Sequence, residues 1–127
     1  MNNKITLESL TNAFYEKGNA CDFGCHQDEI DSIWIKVTGS AEYKSVFAIE
    51  DWMWMDLEME GQQLAIIKAN SVVRTSNRKF DLGDWVRTSP IIRFSDNCVC
   101  ETFNSFYILV GKGSRKESDE SIFNFVG

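Results

Sequence analysis

Hydrophobic spacing of three and four opens the chain. Leu7, Leu10 and Phe14 predict a helix over Thr6 to Lys17, with Thr6 as N-cap and Gly18 at its C-terminal end. Asn19 to His26 is polar and irregular. Asp28 to Val37 fits two templates. Ile30, Ile33 and Trp34 suit a short helix, whereas Ile33, Ile35 and Val37 suit a strand. Period two then takes over. Val46 to Ile49 reads as a short strand. From Trp52 to Glu60, Met53, Met55, Leu57 and Met59 alternate with Trp52, Trp54, Asp56, Glu58 and Glu60, the pattern of a strand with one buried face. A helix using Trp52, Met55 and Met59 is the alternative. Leu64 to Ile67 and Ser71 to Val73 are further strands, followed by a turn at Thr75 to Arg78. Ile91 to Phe94, a polar Ser95-Asp96-Asn97 turn and Cys98 to Thr102 read as a hairpin. Phe106 to Val110 is one more strand, leaving through Gly111 to Lys116, a basic, glycine-containing exit. Ile122, Phe123, Phe125 and Val126 predict a tail over 117–127 that docks back on the domain.

These elements predict an α+β fold: an N-terminal helix, an acidic middle segment and a C-terminal antiparallel β-sheet or partial barrel. The 127 residues make a single domain, 1–127. Nine Phe, four Trp and three Tyr are too much apolar mass for a disordered chain. No apolar run approaches the roughly 20 residues of a membrane-spanning helix. Met1 to Lys4 does not lead into a signal-peptide pattern, so the expected location is cytoplasmic.

Charge changes the picture of partners. The net charge is −6 and the pI about 4.7. Residues 1–60 hold 12 acids and 4 lysines, a charge of −8; residues 61–127 hold 7 acids and 9 bases, a charge of +2. An extended duplex-binding surface is disfavoured, because phosphate neutralisation needs clustered Lys and Arg. An acidic face for a basic protein, or a merely solvated surface, remains.

The block Gly83-Asp84-Trp85-Val86-Arg87-Thr88-Ser89, followed by the run from Cys100 to Lys116, resembles a family of small uncharacterised proteobacterial and prophage proteins, classed as a domain of unknown function. Ala69, Val72, Thr75-Ser76, Lys79-Phe80, Thr102, Asn104-Ser105 and Tyr107 extend the match to about residues 64–116. Cys21 and Cys25 correspond to an upstream cysteine pair of relatives. The resemblance implies bacterial or phage genomic company and a common β-rich fold. It lends no catalytic residue.

Several groups are candidates for chemistry. Cys98 and Cys100, two apart on a strand, point to one face. With Cys21 and Cys25, or the adjacent His26, they reach the four ligands that structural zinc takes. The alternative is four free thiols, cysteine being among the most buried residue types. His26 is the single histidine, and no serine sits in a nucleophile-elbow context, so a hydrolase has little to use. Gly111 to Lys116 lacks phosphate-loop spacing and reads as a solvated strand exit or a weak anion contact. Arg74, Arg78, Lys79, Arg87 and Arg93, with Phe80 and Trp85 nearby, are the residues a single-stranded nucleic-acid groove would use. The most unusual stretch is Glu50 to Glu60. If its methionines face the core, Trp52 and Trp54 stand outward among Asp51, Asp56, Glu58 and Glu60, an acidic rim with aromatic anchors for a protein partner. The function expected is that of a non-enzymatic acidic binding protein without a required cofactor. It would modulate a basic nucleic-acid-handling protein, as an anti-defence inhibitor or a nuclease immunity protein does. A zinc-stabilised structural module or an enzyme of another type are the alternatives.

Overall fold

A computed structural model describes residues 18–77 and 80–118. The helix expected over Thr6 to Lys17 lies outside these residues, as does the tail beyond Ser118. Chain order is β1 (Asn19–Ala20), a 3-10 turn (Gln27–Glu29) running into α1 (Ile30–Ser40), β2 (Ser45–Met59), β3 (Gln62–Thr75), β4 (Val86–Arg87), β5 (Arg93–Ser95), β6 (Val99–Glu101), β7 (Ser105–Leu109) and β8 (Ser114–Ser118).

The α+β expectation is corrected. The described chain is mostly β, a curled half-barrel with one short helical stretch. The acidic middle is no separate segment, because it forms β2, the longest strand of the sheet. Nor is the sheet purely antiparallel. β2 pairs with β3 antiparallel along one edge. Along its other edge it pairs in parallel, first with β7 and then with β8. β6 and β5 continue outward from β7, β1 from β8 and β4 from β3. Gly111 to Lys116 is thus no solvated exit, since Ser114 to Lys116 are ladder residues of β8.

The β2–β3 hairpin closes on Glu60 and Gly61, whose φ values of +51° and +79° are both left-handed. Two such residues match the twist of a two-residue hairpin loop. Asp96 and Asn97, at +53° and +61°, do the same between β5 and β6.

The change of partner along β2 needs repair, because Glu50 to Trp52 face the connection between β7 and β8. Trp52 supplies it. Its indole N–H donates to the carbonyls of Val110 and Gly111 at 3.2 and 3.3 Å. Its ring stacks on Phe23 with centroids 5.3 Å apart. Gly113 lies so close that a Cβ there would come within 2.3 Å of the ring. Asp51 at the same level has φ +51°. Cross-strand partners share a face, so Phe94, Cys100, Tyr107 and Phe47 form one row. Phe94 also meets Trp54, seven positions beyond Phe47, which strict alternation would put on the opposite face. The left-handed Asp51 interrupts the alternation and lets both residues reach the same core.

That core includes Phe47, Ile49, Trp52, Ile67, Ile108 and Leu109. Met53, Met55 and Leu57 are buried with Ile66 in a second, smaller cluster. The ambiguity at Asp28 to Val37 resolves as helix. Ile30 and Val37 are buried while Ile35 is 70% exposed, whereas a strand would have put Ile35 with Val37. Arg74 of β3 fixes the helix to the sheet, its guanidinium 4.6 Å over the Trp34 ring and 2.8 Å from Asp31.

Residues 86–95 tie the outer edges of the sheet. Val86 and Arg87 pair with β3, the Thr88 N–H donates to Ile67 and the Ile91 N–H to Ala65. The Ile92 N–H then donates across to Glu101 of β6. This strap stops short of the hairpin end of β3. No helix among the described residues is long and apolar enough to cross a membrane.

Candidate functional site

The structure divides the acidic-aromatic stretch by role. Trp52 is corrected from interface anchor to core residue, being 2% exposed and hydrogen-bonded through its indole. Trp54 is half-buried. Phe23 and Phe94 meet it edge-on, each at 5.4 Å, and Arg115 lies 5.5 Å over its ring. Its indole N–H donates to Asp56 at 3.1 Å. Asp56 is committed: Arg115 donates to both of its carboxylate oxygens, at 2.7 and 3.0 Å. That bond holds the Arg115 guanidinium above its ordinary pKa. Asp51 is exposed and accepts a bond from the Asn70 amide. Glu58 and Glu60 are exposed where the hairpin ends.

Beside them runs a groove of about 310 Å³ between the start of β3 and the strap. Trp54, Leu64, Ile91, Ile92 and Phe94 give it apolar walls, and Asp56, Gln63 and Arg93 line it with polar groups. Ile92 is 49% exposed and Phe94 38%. The Asp56–Arg115 pair separates this groove from a second depression, of about 770 Å³, along Cys21, Asp22, Phe23 and Lys116. An apolar concavity with a few polar groups is the usual form of a binding site.

Sequence reasoning missed Phe23, Ile92, Phe94, Gln63 and Arg115 as members of this site. All but Gln63 lie far from Trp54 along the chain, and strands β3, β5 and β8 together with the segments carrying Phe23 and Ile92 bring them to it. The one local signal was Ile91-Ile92-Arg93-Phe94, an apolar run too short to bury all its members.

The cysteines divide too. Cys25 and Cys98 sit along one edge of β7: the Cys25 N–H donates to Leu109, whose own N–H donates to Cys98. Each thiol lies close enough to the other to influence its ionisation. Burial pushes Cys98 up to about 12 and raises Cys100 further. Cys21 lies apart, near Arg115 and Asp56, and is raised by burial. All four are free. Among the described residues no three His, Cys, Asp or Glu side chains converge as a metal site requires. His26 is exposed, and its backbone N–H donates to Glu29.

Of the residues a single-stranded nucleic-acid groove would use, Phe80, Trp85 and Arg87 line one depression together with Asp84. Arg74 is held by Asp31, and Arg93 lies 3.8 Å from Glu101. Arg87 is half-buried, with a pKa lowered by desolvation. Arg78 and Lys79 lie outside the described residues.

The family model described as "Domain of unknown function (DUF6957)" matches residues 22–124. The chain belongs to the DUF6957 family. The match takes in the Trp54 groove, the strap and the hairpin, and it reaches well upstream of the stretch whose sequence carried the resemblance. No curated protein and no solved structure matches the chain.

Proposed function

We propose that this DUF6957 domain is a non-enzymatic binding protein of bacterial or phage origin that engages a basic, nucleic-acid-handling protein. It would act as an inhibitor of a defence nuclease or as an immunity protein against a nuclease toxin. The observation that carries this reading is the Trp54 groove beside the exposed carboxylates of Glu58 and Glu60. Aromatic anchors surrounded by charge suit protein recognition, and acidic rims steer basic partners. Asp56, neutralised by Arg115, acts as a structural wall of the groove. Electrostatic mimicry therefore falls to Glu58 and Glu60, with Asp51 midway along the strand.

The test is capture of the tagged protein's partners from a bacterial lysate at low and high salt. A stoichiometric basic protein is expected at low salt and lost at high salt. The paired substitutions Glu58→Gln and Glu60→Gln should weaken it, as should Trp54→Ala. A partner indifferent to salt and to all three substitutions would overturn the reading.

A further inference from the structure

We infer that the hairpin end of β3 is an open sheet edge that takes an extended peptide segment of the partner as an added strand; this deepens the binding reading above and rests on it. The main chain decides the geometry. Met59 and Gln62 flank the two-residue hairpin loop and form its hydrogen-bonded closing pair, so Gln62 and Leu64 bond towards β2. The odd-numbered ones face the other edge. There Ile67 and Ala65 accept from Thr88 and Ile91 of the strap. Gln63 is next in that series, and the strap has already turned away to Glu101 through Ile92. Among the described residues nothing bonds the Gln63 N–H and C=O on that side, and Gln63 is exposed.

An unpaired edge of this kind calls for one class of occupant, an extended main chain. The side chains around it specify more. A strand laid beside Gln62 to Leu64, just beyond the place Ile91 holds at Ala65, lies over the groove, where Trp54, Ile92 and Phe94 offer an apolar floor. Glu58 and Glu60 stand exposed at its end. Arg93, the cation lining the groove, lies 3.8 Å from Glu101. Side chains alternate along a strand, so the fitting segment alternates apolar residues with Lys or Arg. Backbone pairing supplies affinity, and the groove and carboxylates supply selectivity.

The test uses the full chain and a display library of linear peptides about a dozen residues long. Peptides alternating apolar and basic residues should be enriched. Gln63→Pro removes the outward N–H and leaves the hairpin bonds, a change edge strands tolerate. It should weaken an enriched peptide about tenfold or more, while Gln63→Thr, which keeps the N–H, should stay within about twofold. Ile92→Lys, away from the edge backbone, should also weaken it, which guards against a misfolded proline variant. Hydrogen exchange at the Gln63 amide should slow when peptide binds. Enrichment of no linear peptide, undiminished binding to Gln63→Pro, or an unprotected Gln63 amide would each overturn the strand-addition mode. A salt-sensitive folded partner captured from lysate would then still stand for the broader reading, and its absence would bring down that reading instead.

Discussion

Replacing Gly113 with alanine isolates what the Trp52 repair contributes. The new Cβ would meet three atoms of the Trp52 ring at 2.3 to 2.4 Å. A flexible side-chain end yields to such a contact, but an indole stacked on one ring and held through its nitrogen does not. Phe23 stacks on it, and the carbonyls of Val110 and Gly111 hold its N–H. The methyl must therefore push β8 away from β2 or drive Trp52 off its bonds. Overpacking a filled core costs about 1–3 kcal/mol, and weakening a buried hydrogen bond adds about 1 kcal/mol. The expected loss is about 2–4 kcal/mol, a fall in Tm of roughly 8–15 °C for a domain of this size. Urea unfolding followed by tryptophan fluorescence measures it, with the same m-value required of both proteins. A variant within about 0.5 kcal/mol of the parent would show that Trp52 does not fill the gap between β7 and β8.

Gly39, in the last turn of α1, has no atom within 4 Å of the position a Cβ would take, so Gly39→Ala should raise stability by about 0.5–1 kcal/mol in the same assay. A thiol reagent should modify one cysteine quickly in the native protein, the half-exposed Cys21, and the buried Cys25, Cys98 and Cys100 only on unfolding; mass spectrometry of the labelled sites checks this. The Cys98 thiol is raised from 9.0 to about 12, so between those pH values the unfolded chain sheds a proton the native one keeps. Stability should therefore be intact below pH 9 and fall as pH rises towards 12, less steeply in Cys98→Ala, as denaturant titrations at several pH values would show. Lys44 bonds Glu101 and the Thr102 carbonyl with little exposure on either charged side chain, so Glu101→Ala should cost about 3 kcal/mol or more by stranding the ammonium, readable in urea titrations.

The sequence made individual strands legible and left their arrangement dark. Alternation over Trp52 to Glu60 marked a strand because Met53, Met55 and Leu57 do share a buried face. The same alternation misassigned Trp52, because one-sided burial is a rule for strands with one face in water, and β2 is covered on both. Parallel pairing of β2 with β7 and β8 leaves no local trace. It arises from contacts between residues 45–57 and 105–118, and β-propensity is the same in either direction. Leu64 to Ile67 and Ser71 to Val73 looked like two strands because Lys68 and Asn70 break the apolar run, yet the backbone continues and Lys68 is buried beside Met53. Of the residues proposed to bind, Trp54, Glu58 and Glu60 were readable from the alternating acidic-aromatic pattern. Gln63 was not, since its importance lies in an unpaired main chain and any side chain would serve.

The double partnership of β2 also sets an order of events during synthesis. The β2–β3 hairpin is local and can close as soon as Thr75 has emerged. Its other edge must wait for Ser105 to Ser118. At roughly 5–20 residues per second on the ribosome, that wait lasts seconds, against microseconds for hairpin closure. Throughout it, Phe47, Ile49 and Trp52 stand beside an unsatisfied strand edge, the species most prone to pair with a neighbouring nascent chain. The yield of folded protein should therefore depend on how that edge is shielded before the last strands arrive.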